Sequence, residues 1–266
     1  MVPSLFKQRM LAREIQVGIV AGVSDPYCTD ILGGAPFDWV LIDGEHSPVD
    51  PTALTRQLQV LHGHRREVAF RPGHQPGQSL GQWLDIGVRT LVVPNVESAE
   101  EARELVAATR YPPEGRRGVG PTLARAAAWG RQQDYLLGAN DGICVVAQVE
   151  SAAGVAAIDR IAAVAGIEGI LLGPSDLAAS LGCLGNAAHP DVAKAIEFTI
   201  QRSLALGRAV GMFVSDIASA LRYRQLGCTF FIVGTDTRLY ARALDEAAVS
   251  FQQALKPRQA EYTART

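Results

Sequence analysis

Val145-Val146-Ala147-Gln148-Val149-Glu150 is a nearly unbroken apolar run that ends in a carboxylate, and about one strand-helix unit later Ile170-Leu171-Leu172-Gly173-Pro174-Ser175-Asp176 repeats the pattern. Runs of this length and composition predict strands of a parallel sheet covered on both faces. Two hard oxygen ligands therefore arrive at one rim of one sheet. Such a pair can hold a divalent cation and leave positions open for water and substrate.

Working outward, strand-like runs recur at Ile15 to Ala21, Trp39 to Asp43, Glu67 to Arg71, Thr90 to Val96, Ile143 to Glu150, Gly169 to Leu172, Ala209 to Val214 and Phe230 to Gly234. Ala- and Leu-rich helical patterns lie between them. This alternation predicts the α/β class, and eight strands predict closure into a (β/α)8 barrel; a doubly wound open sheet is the structural rival. Ala99 to Val106 and Val192 to Glu197 carry helical periodicity, with Ser98 and Asp191 placed as N-caps. Pro112-Pro113-Glu114-Gly115-Arg116-Arg117-Gly118-Val119-Gly120-Pro121 cannot continue a helix and reads as a long basic loop after the fourth strand. No linker divides the chain. One domain is expected over residues 1–255, with 256–266 a polar tail.

Bulk properties narrow the partners. Of 266 residues, 48% are hydrophobic and 20% charged, and the net charge of -2 argues against a sequence-independent grip on nucleic acid or anionic lipid. No apolar stretch approaches a membrane span, and Met1 to Arg13 lacks the apolar core of a signal peptide. Cys28, Cys144, Cys183 and Cys228 form no CxxC pair, which predicts a reduced, soluble, cytoplasmic protein. A small molecule is the expected partner. Gly33-Gly34 lacks the spacing of a dinucleotide-binding loop and no Walker-type lysine loop occurs, so neither NAD nor ATP is inferred.

In a barrel the strand ends and the loops after them form the active face. Polar residues gather there: Asp43-Gly44-Glu45-His46, Arg71-Pro72, Gln148-Val149-Glu150, Gly173-Pro174-Ser175-Asp176 and Gly234-Thr235-Asp236. Asp176 and Asp236 could equally cap the helices that follow. Glu150, after five interior residues, requires a cation or hydrogen-bond donors beside it, and a metal ligand is the favoured reading over a structural ion pair. His46 is placed for proton transfer rather than as an ordinary loop histidine, and Arg71 for an anionic substrate rather than a stabilising pair. His62, His64, Arg65 and Arg66 cluster on the strand-entering side and read as a solvated turn; His74 and His189 stand in Pro/Gly-rich loops with no metal-ligand spacing.

Val40-Leu41-Ile42-Asp43-Gly44-Glu45-His46, Arg71-Pro72, Trp83-Leu84-Asp85-Ile86-Gly87, Arg110-Tyr111-Pro112-Pro113 through Arg117-Gly118-Val119-Gly120, Gln148-Val149-Glu150 and Gly173-Pro174-Ser175-Asp176-Leu177 together resemble the HpcH/HpaI family. These are metal-dependent class II pyruvate aldolases, among them 4-hydroxy-2-oxoheptanedioate and 2-dehydro-3-deoxyglucarate aldolases. The likeness spans Phe6 to about Phe251. It implies a modified (β/α)8 barrel of the phosphoenolpyruvate/pyruvate type, and a hexamer, a trimer of dimers exchanging a C-terminal helix. It further implies that Glu150 and Asp176 hold Mg2+, Mn2+ or Co2+, that Gln148, Ser175 and Asp176 seat a pyruvate unit, and that Arg71 stabilises the enolate. His46 matches the base, and Asp85 the acid that orients it. Val119-Gly120 matches a loop that approaches a neighbouring subunit's site.

The reaction so implied is reversible cleavage of a 4-hydroxy-2-oxo acid to pyruvate or hydroxypyruvate and an aldehyde, through an enolate whose charge the metal and Arg71 stabilise. A Schiff base is the other common solution, but Lys7, Lys194 and Lys256 all lie away from predicted strand ends, and no pyridoxal cofactor is inferred. Decarboxylation of oxaloacetate, the route of the related macrophomate synthase, reaches the same enolate. A non-catalytic barrel is the remaining alternative. Departures from the family pattern, at Val17 to Gly22, Pro72-Gly73-His74-Gln75 and Gly120-Pro121-Thr122, surround the acceptor pocket and leave the aldehyde open.

Overall fold

A computed structural model describes residues 4–73 and 80–256. His74 and the tail 257–266 lie outside the described residues. Eight parallel strands close into a barrel in sequential order: β1 (Gln16–Ala21), β2 (Trp39–Asp43), β3 (Glu67–Arg71), β4 (Thr90–Val93), β5 (Cys144–Val149), β6 (Gly169–Leu172), β7 (Ala209–Phe213) and β8 (Phe230–Thr235). β8 pairs with β1, so no edge is left open. The open-sheet rival is thereby excluded.

Side-chain alternation sorts each strand into two faces. Val20, Trp39, Leu41, Ala69, Val92, Cys144, Val146, Leu171, Phe230 and Ile232 fill the barrel interior, while Ile19, Val40, Ile42, Phe70, Leu91, Val145, Ile170 and Val210 pack against the helical layer. The short helix Leu5–Leu11 plugs the strand-entering end with Phe6 and Met10. Phe6 meets Trp39 at 4.7 Å between ring centroids, and Trp39 meets Phe230 at 6.3 Å. Gly18 lies in register with Trp39, and a Cβ there would stand 2.3 Å from the indole, so the largest interior side chain requires the smallest neighbour. Lys7 seals the same end: its ammonium donates to the carbonyls of Asp141 and Ile143 and pairs with Glu168 at 3.0 Å.

Several expected boundaries shift for identifiable reasons. β4 stops at Val93 because Pro94 has no N–H to continue the ladder, and Asn95 then turns left-handed with φ of 52°. Ser98 caps the helix Ala99–Thr109 as expected, accepting from the Glu101 N–H. Asp191 does not cap: Pro190 takes the first helical position of Pro190–Ala205, and the His189 ring nitrogen Nδ1 accepts from the Asp191 N–H at 3.2 Å. The His62–Arg66 turn is not merely solvated. His64 meets Asp30 at 2.6 Å, and Arg66 donates to the carbonyls of Gly33 and Phe37, fastening the helix Pro51–Gly63 to Pro26–Gly34 and the turn after it.

The final helix, Asp236–Leu255, is 20 residues long and buries none of them. Leu239, Tyr240, Leu244, Val249, Phe251 and Leu255 stand exposed along it. Among the described residues no helix is long and apolar enough to cross a membrane.

Candidate active site

The interior-facing parity of the strands continues past the apolar layers into polar residues at the strand-leaving rim. On β2 the series Trp39, Leu41 ends in Asp43; on β3 Ala69 is followed by Arg71; on β5 Cys144 and Val146 are followed by Gln148, and Glu150 comes just beyond the strand. Asp43 and Arg71 are register partners across β2 and β3. Their side chains make a bidentate pair of 2.9 and 2.8 Å, and both are buried. Burial pushes the Asp43 carboxyl up, but Arg71 and the N–H groups of Glu45 and His46 outweigh it and hold it below the usual carboxylate range. Glu45 also meets Arg71, at 3.2 Å, and the Arg71 guanidinium lies 5.7 Å from the Phe213 ring. Asp43 was legible only as one polar strand end among several; its register opposite Arg71 required the barrel.

Glu150 is 5% exposed. One carboxylate oxygen accepts from the Asn95 N–H at 2.9 Å and the other from the Gln148 side-chain amide. Burial, with Asp176 repulsion behind it, pushes its pKa up to about 7 despite these donors. Gly173 lets the carboxylate lie where it does: a Cβ on that residue would stand 2.3 Å from a Glu150 oxygen. Asp176 stands in the first turn of the helix Pro174–Ser180, whose N-cap is Gly173, so it does not cap that helix. Asp236 does not cap either. Thr235 does, while the Asp236 carboxylate accepts from the N–H groups of Gly22 and Val23 and clasps the end of β8 to that of β1.

Glu45, Glu150, Ser151 and Asp176 line one cavity of about 730 Å³, together with Asn95. Ser175 is exposed beside it. The donor set fits a hard divalent cation in a specific way. A carboxylate raised toward neutrality by burial, and further by a neighbouring carboxylate, is relieved by positive charge between the two, and the Gln148 carbonyl oxygen is buried without a hydrogen-bond partner among the described residues. Among the described residues no cluster of three or more His, Cys, Asp or Glu side chains forms a closed metal cage. Two carboxylates with open positions is the pattern of a site shared with water and substrate rather than a structural one.

His46 lies in the loop after β2, largely exposed, with its imidazole 3.6 Å from Glu45. Asp85 is not beside it. In the last turn of the helix Leu80–Ile86, which leads back toward the start of β4, Asp85 accepts from Arg117 at 2.6 Å. Arg117, in the long basic loop after β4, is buried and stacks 4.4 Å from the Tyr111 ring centroid. Asn95 is the site residue that the sequence did not announce, because it acts through its backbone; the Pro94-Asn95 pair was the available signal for a turn there.

Comparison with known proteins agrees with this geometry. Residues 16–243 match the family model described as HpcH/HpaI aldolase/citrate lyase. A hydroxypyruvate/pyruvate aldolase of Deinococcus radiodurans is 49% identical over 93% of this chain and 89% of its own. A 4-hydroxy-2-oxo-heptane-1,7-dioate aldolase of Salmonella dublin is 43% identical over 92% of this chain and 94% of its own. A solved HpcH/HpaI aldolase/citrate lyase family protein from Burkholderia cenocepacia superposes with a TM-score of 0.88 at 36% identity, covering 93% and 98% of the two chains. With the barrel and nearly the full length in common, this chain belongs to the HpcH/HpaI aldolase/citrate lyase family.

Proposed function

We propose that this protein is a divalent-metal-dependent aldolase that reversibly cleaves 4-hydroxy-2-oxo acids to pyruvate or hydroxypyruvate and an aldehyde. The observation that carries the reading is the convergence of Glu150 and Asp176 on one cavity at the barrel rim where Arg71 and Gln148 also end. Relatives named as aldolases at 43–49% identity support it.

Glu150 and Asp176 hold the cation, Mg2+, Mn2+ or Co2+. When bound, it supplies Lewis-acid stabilisation of negative charge developing on the 2-oxo oxygen. Gln148, Ser175 and the backbone at Asp176 seat the oxo acid. Arg71, held flat by Asp43, adds a second positive charge facing the enolate side. His46 accepts the proton of the 4-hydroxyl as the C3–C4 bond breaks; the bonding pair stays on C3 as the enolate, and the aldehyde leaves. Protonation of C3 completes the oxo acid, and the reverse order is addition.

Asp85 pairs with Arg117 on the outer flank of its own barrel, so it serves the His46 of a neighbouring copy. The unburied helix Asp236–Leu255 supports the same assembly, a hexamer built as a trimer of dimers exchanging that helix. Four free cysteines, two of them buried, fit a cytoplasmic setting.

Steady-state assays with and without chelator, comparing aldol cleavage with oxaloacetate decarboxylation, test the reading. Cleavage is expected to vanish on chelation and to return with Mg2+, Mn2+ or Co2+. His46→Ala is expected to lower kcat/KM by at least about 100-fold, the usual scale for losing a general base, and Glu150→Gln to lower it together with metal affinity. Full cleavage by either variant, or decarboxylation as the sole metal-dependent turnover, would replace this assignment.

A further inference from the structure

A second cavity, of about 530 Å³, opens on the flank of the barrel between the turn entering β4 and the segment that follows the long loop. It shares no lining residue with the cavity at Glu150 and Asp176. Its walls carry Arg89, Arg117, Arg125 and His62, and among the described residues no Asp or Glu lines it. Trp129 and Tyr135 supply apolar surface.

The charge is poorly answered from within the chain. Arg117 has only 1% of its side chain exposed; one terminal nitrogen serves Asp85 and the Tyr135 hydroxyl, while Nε and the other terminal nitrogen are buried with no hydrogen-bond partner among the described residues. Two charged donors left unmet in a buried position are costly, and the group that satisfies them is an acceptor. Arg125 is anchored by its donation to the Ile86 carbonyl at 3.0 Å and stands 3.2 Å from the His62 ring, so a second cation is fixed at the same wall. The field is felt by His62. Burial first, then repulsion by Arg125 and Arg89, holds its imidazolium below the ordinary value, against a smaller opposing pull from Glu67.

We propose that this flank cavity is a binding site for a small oxyanion, the carboxylate or phosphate of a compact metabolite, held by Arg117, Arg125 and Arg89. The unpaired Nε and terminal nitrogen of Arg117 leave different edges of the guanidinium, so each donates singly to an oxyanion oxygen, and three arginines against Asp85 and Glu67 leave room for one negative charge. No lining residue of this cavity is one of the proposed rim residues, and because Arg117 also holds Asp85 the variants that probe the site are chosen at Arg89 and Arg125.

Calorimetric titration of the Mg2+-loaded protein with inorganic phosphate and, separately, with propionate tests the site and distinguishes the two oxyanion sources. Saturable binding of at least one of them is expected. Arg89→Gln and Arg125→Gln should each weaken it by about tenfold or more, the scale of a lost charged hydrogen bond; their folding is checked by circular dichroism, and neither breaks the Arg117–Asp85 pair. Glu150→Gln, which removes a proposed metal ligand, should leave the same binding unchanged. The proposal is overturned if binding is lost in Glu150→Gln and kept in both arginine variants. It is equally overturned if neither anion binds, whether sedimentation velocity then finds the cavity covered by a second copy or open in a monomer.

Discussion

At the scale of single residues, the site is a set of charges that tolerate burial because each has a partner aimed at it. Asp43 and Arg71 show this most directly. Asp43→Asn leaves a buried guanidinium facing a neutral amide, and a loss of about 3–5 kcal/mol in urea unfolding is expected. The pH dependence follows from the same pair. Because folding holds the Asp43 carboxyl below its unfolded value, the unfolded chain binds more protons in that interval. The stabilisation is complete above the ordinary Asp pKa and disappears as pH falls through the lowered one, so the gap between wild type and Asp43→Asn should narrow below about pH 4. Parallel unfolding midpoints across pH 3 to 7 measure this. Gly173 acts by its absence of a side chain. Gly173→Ala places a methyl against Glu150, and metal affinity is expected to fall about 10- to 100-fold, the range seen when support around a ligand is disturbed, while the far-ultraviolet spectrum stays unchanged.

At the scale of elements, the barrel interior is closed by one helix and a layer of rings. Trp39 has no exposed surface and is gripped by Phe6 from the plug helix and Phe230 from β8. Trp39→Ala should cost about 3–5 kcal/mol, because the surrounding strands cannot collapse into the space. The helix Ala99–Thr109 depends on a local device instead. Ser98→Ala removes the oxygen that accepts from the Glu101 N–H, at a cost of about 1 kcal/mol in thermal or denaturant unfolding. The helix borders the cavity through Glu101, Glu104 and Leu105, so the same variant reports how far rim order depends on that cap.

At the scale of the whole molecule, the last helix carries an uncovered apolar face. The helix Asp236–Leu255 presents Leu244 and Phe251 to solvent, and burying either side chain against a second copy would contribute roughly 1.5–3 kcal/mol. If the proposed assembly forms through this face, Leu244→Glu combined with Phe251→Glu gives smaller species than wild type in sedimentation velocity, with the barrel still folded. An unchanged sedimentation coefficient would mean that this face serves no interface between copies.

Strand number, the parallel sheet and the polar rim were legible in the chain itself, because eight apolar runs alternating with helical periodicity admit few arrangements, and side-chain alternation is a local property; closure over an open sheet was decided by the β8–β1 pairing. Glu150, Asp176, Arg71, Gln148 and His46 could be marked for the same reason: each ends, or lies just after, a run too apolar to explain a charge or an amide. The tertiary structure alone decided which of these groups meet. Asp43 pairs with Arg71 because β2 and β3 close in that register, Asn95 reaches Glu150 through a backbone N–H that carries no residue signature, and Asp85 turns to Arg117 rather than His46 because its helix runs back down the barrel. Local pattern sets which face a side chain points to, but distances between residues far apart in sequence are set by how the barrel closes.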